Sequence, residues 1–395
     1  MPVEVTYPGV YVEEIAAGIK TISGVPTSTA AFLGRAEKGP RHSAVRCRSF
    51  CEFLCIFGGG HSRSDLNDSV KHFFENAGND CYIVRIGGNK SLTVADFTGD
   101  AKTRTGFYAL DQADLFNLMI IPGDADIDEA EYRSIAAGAS VYCKQKRAFL
   151  LLDAPASWTC GEAFIAGESD VNAFRDAVTD RQNTAVFYPR IKFRDDGNMK
   201  TTGASGMIAG VIARTDAERG VWKAPAGFDA VLSGASGVEV NLTDRENGSL
   251  NSLGVNCIRK FPRGVINWGA RTLDGADTRG SDWKYIPIRR LLMYLEHSID
   301  RGTQWAVFEP NDEPLWANIR SNVQAFMMNL FRQGAFQGNK PEHAFFVKCG
   351  RETTTQQDID AGSLNIQIGF APLKPAEFVI INIRQIAKRE RKKKG

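Results

Sequence analysis

No stretch of this chain approaches the run of about 18 apolar residues that a helix needs to cross a bilayer, so direct membrane insertion is not expected. The opening residues, Met1-Pro2-Val3-Glu4-Val5, carry neither the basic start nor the apolar core of a secretory signal. The expectation is therefore a chain made and folded in a cytoplasm. Charge of one sign is also scarce: a formal net charge of +2 over 395 residues argues against a dedicated nucleic-acid binder. Gly58-Gly59-Gly60 could suggest a phosphate loop, but no Lys-Ser or Lys-Thr follows it and no strand leads into it, so it reads as a helix end. Histidine is rare. His42, His61, His72, His297 and His343 lie in no context that pairs them with a nucleophile.

Ordinary globular material is present. A hydrophobic share of 43% and a charged share of 24% are enough for two or three domains with a sizeable core. The one strong charge run is Lys388-Arg389-Glu390-Arg391-Lys392-Lys393-Lys394, which leaves the rest slightly acidic. Cys47, Cys51 and Cys55 stand four apart, so one helix would align them. That spacing is not a zinc pattern, and with Phe50, Phe53, Leu54 and Phe57 around them they read as small buried hydrophobes. Cys81, Cys143, Cys160, Cys257 and Cys349 are scattered, and all eight are expected reduced.

In chain order, Tyr7-Pro8-Gly9 makes a turn and Val10 to Ile15 a short strand. Ala16 to Thr29 is rich in Gly, Ser, Thr and Pro and is expected to add little to a core. Strands then alternate with helices: Ala30–Ala36, a helix at Ser49–Phe57, another at Asp65–Asn76, and a strand at Cys81–Ile86. Leu118–Gly123 is a strand, Glu129–Lys144 a helix, Ala148–Asp153 an apolar strand of the parallel kind, Asp170–Asp180 a helix and Ala185–Pro189 a strand. The alternation argues for a layered α/β domain, with a small-residue helix at Ala204–Ala213 packed on it.

Two further constellations could carry chemistry. Asp124, Asp126 and Asp128 resemble the start of a calcium loop, but Glu129 and Ile135 stand where the turn glycine and the terminal acidic ligand belong. Gly203-Ala204-Ser205-Gly206-Met207-Ile208-Ala209-Gly210 resembles the serine-bearing helix start of subtilisins. The alternative function is accordingly an α/β serine hydrolase with Ser205 as nucleophile, which would need a base and an orienting acid.

Asn256 to Gln385 reads as a compact α+β module. Leu291, Leu292, Leu295 and Ile299 predict an amphipathic helix over Arg289–Ile299, with Gly302 as its stop. Trp305-Ala306-Val307-Phe308 reads as a short strand, and Pro314 opens a long helix through Phe331, capped at Gly334. Phe345–Val347 and Leu364–Ile368 are strands, and Phe378–Ile386 is a last strand with no obvious partner downstream.

These blocks are recognisable. Gly269-Ala270-Arg271-Thr272-Leu273, Tyr285-Ile286-Pro287-Ile288-Arg289-Arg290, Val307-Phe308-Glu309-Pro310-Asn311 and Pro375-Ala376-Glu377-Phe378 closely resemble contractile tail sheath proteins of phages, R-type pyocins and extracellular contractile injection systems. Tyr7 to Glu14 resembles the family's opening, and Ala213-Arg214-Thr215-Asp216 with Gly220 to Ala226 resembles its middle. The loosest stretch is roughly Leu92 to Met199.

The resemblance implies a strand arm and linker over 1–29, an α/β outer domain of inactive subtilisin-like topology over 30–250, a C-terminal α+β sheath core domain over 251–374, and a strand arm with a basic tail over 375–395. It implies no enzyme activity, no cofactor and no metal. Its partners would be copies of itself in hexameric rings, an inner tube protein, and baseplate and tail terminator proteins, made in a bacterial host cytoplasm. Strands carrying Val10, Tyr11, Val12, Glu13 and Ile15, and Phe378, Val379, Ile380, Ile381 and Ile383, would be exchanged between subunits. Pro372 and Pro375 stiffen the approach to the last strand and disfavour a hairpin home. Lys388, Arg389, Arg391 and Lys392 are the candidate contacts to an acidic tube.

Overall fold

Apolar runs with β-branched and aromatic residues become the strands of one large sheet. The computed structural model describes residues 21–87, 91–158 and 168–378. Its strands in chain order are β1 (Ala30–Gly34), β2 (Val45–Cys47), β3 (Cys81–Arg85), β4 (Leu118–Ile120), β5 (Phe149–Asp153), β6 (Thr184–Tyr188), β7 (Ile191–Asp195), β8 (Asn198–Thr202), β9 (Ala235–Val238), β10 (Val255–Phe261), β11 (Gly264–Asn267), β12 (Phe345–Lys348) and β13 (Gln367–Phe370). Eight of them form a sheet in the order β11-β10-β6-β5-β4-β1-β3-β2. From β10 to β3 all neighbours are parallel, and antiparallel β11 and β2 close the two edges.

A parallel sheet must be covered on both faces, and alternate residues divide accordingly. Ala31, Leu33, Met119, Leu150 and Leu152 face a core shared with the Glu129–Gln145 helix and with Phe107 and Trp158. Ala30, Phe32, Ile120, Leu151 and Phe187 face a core shared with the Phe50–Phe57, Leu66–Glu75 and Ser205–Arg219 helices. The last two helices approach closely because Gly206 and Gly210 leave room: a Cβ on either would overlap backbone of the other helix. A third core joins the Ile286–Thr303 and Glu313–Arg332 helices to the β12–β13 ribbon.

The structure corrects several expectations. The sheet runs past the expected boundary at residue 250, because β10 pairs with β6 from Val255↔Val186 onward. Trp305–Phe308 is no strand: Gln304–Ala306 is a 3₁₀ turn, with Val307 N–H and Glu309 N–H donating to the carbonyls of Gln304 and Ala306. Backbone groups satisfied locally leave nothing for a ladder, and Phe308 stands fully exposed at φ +70°. Cys47 lies in β2 and is buried, whereas Cys51 and Cys55 are exposed on the following helix, so the three share no face. The helix beginning at Ser205 continues to Arg219.

β7 and β8 pair as an antiparallel hairpin that the strand–helix alternation does not include. Its two-residue turn is Asp196-Gly197, both at positive φ, which is the strongest short-range hairpin signal.

Candidate functional site at the two chain roots

Residues 21–29, expected to contribute little, are docked along a helix. Ile22 and Val25 are buried, and the segment runs antiparallel to the Ile286–Thr303 helix. Ile22 packs where a Cβ on Gly302 would sit 2.7 Å away. Val25 N–H donates to Ser298 Oγ at 3.2 Å. Gly24 lies against the Tyr294 ring with no room for a Cβ, and Arg290 Nη2 donates to the Thr27 carbonyl at 2.8 Å. Arg290, Tyr294, Ser298 and Gly302 are spaced by four, which stacks them on one helix face. Arg290 also forks onto Asp216 at 2.9 and 2.6 Å, both side chains at most 5% exposed, and Thr27 Oγ1 donates to the same carboxylate at 2.6 Å. An ion pair this buried holds because hydrogen bonds satisfy the remaining polar atoms.

The other end of the described chain is held at the start of the same helix. Arg271, itself fully buried, forks onto Glu377 at 2.8 and 2.6 Å, and Tyr285 Oη donates to Glu377 Oε2 at 3.2 Å. The second arm of the guanidinium reaches Asp277 at 2.9 Å and the Asn251 carbonyl at 2.8 Å. Burial would lower the Arg271 pKa, but the hydrogen bonds and charge of Glu377 outweigh it and the group is raised. Tyr285 is pushed up to about 12 by burial and by the Glu377 carboxylate. The backbone beneath is fixed in turn: Asn256 accepts from Arg271 N–H at 2.7 Å and donates to the Arg271 and Val186 carbonyls, while Thr272 N–H and Ile286 N–H donate to the Lys284 and Ala270 carbonyls. Asn267 Nδ2 ties this loop to the Pro225 carbonyl. The separate sequence blocks thus meet in one polar framework.

A second candidate lies at the carboxyl ends of β4, β5 and β6, where α/β sheets hold ligands. A cleft of about 500 Å³ there is lined by Asp65, Asp124, Glu129, Tyr132, Asp153 and Arg190 among others. Ser205 Oγ donates to Asp153 Oδ2 at 2.6 Å and Ser205 N–H to Asp153 Oδ1 at 2.8 Å. The carboxylate therefore caps the helix N-terminus. Burial raises the Asp153 pKa. Asp65 is pushed up to about 6 by burial, against the pull of Arg190 and Thr202.

The Ser-His-Asp arrangement needs an imidazole on the serine, whereas Ser205 Oγ bonds a carboxylate and four of the five histidines are engaged elsewhere. His42 Nδ1 accepts from Gly106 N–H, His61 Nδ1 from Arg63 N–H, His72 stacks edge-on against Phe193, and His297 meets the Arg147 carbonyl. The calcium-like aspartates are also engaged. Arg35 pairs with Asp124 at 3.1 Å and Asp126 at 2.5 Å, Arg63 pairs with Asp126 at 3.1 Å, and Asp128 caps the Glu129–Gln145 helix.

Val10, Tyr11, Val12, Glu13, Ile15, Val379, Ile380, Ile381, Ile383, Lys388, Arg389, Arg391 and Lys392 lie outside the described residues. Phe378 is described, 73% exposed and outside any strand. The residues that pin the roots, Ile22, Val25, Asp216, Arg271, Arg290 and Glu377, were not singled out from sequence. The available signal was that Asp216, Arg271, Arg290 and Glu377 sit inside the recognisable blocks.

Ion pairs within the chain thus pin both roots of a mixed α/β multidomain chain. Family models identify its class. Residues 99–273 match the phage tail sheath protein central domain and residues 278–386 the phage tail sheath C-terminal domain. The chain is 30% identical to the sheath subunit in the anti-feeding prophage helical sheath in its contracted state, with TM-score 0.77, covering 97% of this chain and 100% of that one. It is likewise 30% identical to the subunit of the PVC sheath complex of an extracellular contractile injection system in its contracted state, with TM-score 0.76 and coverages of 98% and 99%. The tail sheath protein of Vibrio phage KVP40 is 24% identical over 375 residues, covering 86% of this chain. This chain spans about half (54%) of that relative's length. The chain belongs to the contractile tail sheath family, whose members are structural components of phage tails and phage-tail-like particles.

Proposed function

We propose that this chain is a sheath subunit that polymerises as hexameric rings around an inner tube and contracts to drive that tube through a target envelope. The terminal strands are the links between subunits. The observation that carries this reading is the pairing of two firmly pinned chain roots with a β12–β13 ribbon that has two strands among the described residues. A two-stranded ribbon is marginal alone, and Phe346 on it is 46% exposed. Strands from neighbouring copies would complete it by adding to its edges. Such contacts are heterologous and do not close along the axis, which propagates a helical polymer. Contraction would draw on added burial between subunits, at roughly 25 cal/mol per Å² of apolar surface.

Further elements of the reading are an inner tube, a baseplate and a tail terminator as partners, with synthesis in a bacterial host cytoplasm. The basic tail at Lys388, Arg389, Arg391 and Lys392 would meet an acidic tube. The large sheet with its central helix pair supports a subtilisin-like topology without activity, since Ser205 bonds a carboxylate instead of an imidazole. The outer unit then runs through β11, and the C-terminal core unit begins near Ile286.

Negative-stain microscopy tests the reading. Purified protein should form striated tubes, and a chain lacking Val3–Ile15 should stay folded and soluble without forming them. Normal tubes from the truncated chain would refute strand exchange.

A further inference from the structure

The two roots are held by opposite ends of one helix. The described N-terminal segment docks on Arg290, Tyr294, Ser298 and Gly302, with its first residues at the Gly302 end. The C-terminal segment is clamped at Tyr285, the residue that precedes the helix. Eighteen residues at 1.5 Å each separate the two exits by about 27 Å. Each root is tied by a buried arginine: Arg290 with buried Asp216, and Arg271 with part-buried Glu377. The helix body is seated in the second core through Ile286 and Met293 and in the third through Leu291 and Leu295.

We propose that the Ile286–Thr303 helix is a strut that carries tension between the two terminal links, with residues 22–27 and Glu377 as its fixed anchors. The inference rests on the strand-exchange reading and adds to it. The N-terminal segment stays docked from residue 22 onward while subunits are linked, so only residues before it can reach a neighbour. Arg290, Ser298, Gly302, Arg271 and Tyr285 are positioning residues: they set where each link leaves the subunit and how far apart the exits stand.

Two variants test this. Val25→Cys with Ser298→Cys, in a chain where exposed Cys51 and Cys55 are replaced by serine, puts two thiols at neighbouring positions, since the Val25 amide lies 3.2 Å from the Ser298 hydroxyl, and mass spectrometry of the oxidised monomer checks that they join. The oxidised chain should form tubes as readily as the reduced one. Gly302→Val places a side chain on Ile22. Hydrogen exchange of the Val25 amide should accelerate about tenfold or more while the Arg271 loop keeps its protection, and tube yield should fall.

The strut is overturned if the Val25 amide exchanges at an unprotected rate in the unaltered protein. It is equally overturned if the oxidised chain fails to form tubes that the reduced chain forms. Normal tubes from the chain lacking Val3–Ile15 would instead refute strand exchange, and the exchange rates would still decide whether the segment is docked.

Discussion

Arg271 is the single side chain through which most of the C-terminal root is connected. Replacing it with alanine leaves the part-buried Glu377 carboxylate without its cation, held by Tyr285 Oη, and should cost about 3 kcal/mol in urea unfolding. Glu377→Gln keeps an acceptor and should cost far less, roughly 1 kcal/mol. Two other buried groups make opposing pH contributions. Asp65 is raised to about 6 from 3.8 by burial, so its stabilising contribution is full below the unfolded value and lost as pH rises through 6. His72 is lowered to about 4 from 6.5, by burial and then by Lys71, so its contribution is full above 6.5 and lost as pH falls through 4. Relative to the unaltered protein, Asp65→Asn should gain stability as pH rises from 4 to 6, and His72→Gln as pH falls from 6.5 to 4. Each change should be of order 2–3 kcal/mol, read from urea midpoints across that range. None of these residues could be weighted from sequence, because their partners lie 74 to 106 positions away for Arg290 and Arg271.

At the scale of elements, long periodic patterns were legible. The helices at Leu66–Glu75, Glu129–Gln145, Ile286–Thr303 and Glu313–Arg332 follow from apolar spacing, and Asp128 and Asp312 cap the second and fourth. Short elements were less so. Trp305–Phe308 has strand composition but turns locally, while Asp196-Gly197 marks a hairpin in a stretch to which the helix–strand alternation assigns no element. The expected last strand, Phe378 to Ile386, lies beyond the described residues except for Phe378. Its chemistry still yields a prediction: Ile381→Pro removes a backbone donor in mid-strand and should abolish polymerisation while the monomer's thermal transition barely moves. A large drop in that transition would show that the strand belongs to its own subunit's core.

For the whole molecule, the basic tail predicts salt-sensitive assembly on the tube. Binding should weaken as ionic strength rises from about 0.1 to 1 M and the Debye length falls from ~10 to ~3 Å. Cosedimentation of sheath with purified tube across that range checks it, and indifference to salt would remove the tail from the contact.

The sequence by itself determined the layered α/β class, the helices of the C-terminal module and the family, because periodicity and contiguous blocks are local information. Tertiary structure decided the rest. Only folding carried the sheet across residue 250, set Asp153 on Ser205, and laid residues 22–27 along a helix 263 positions away. Pairings of that kind depend on which buried charges find partners once the chain is compact, and no local pattern encodes them.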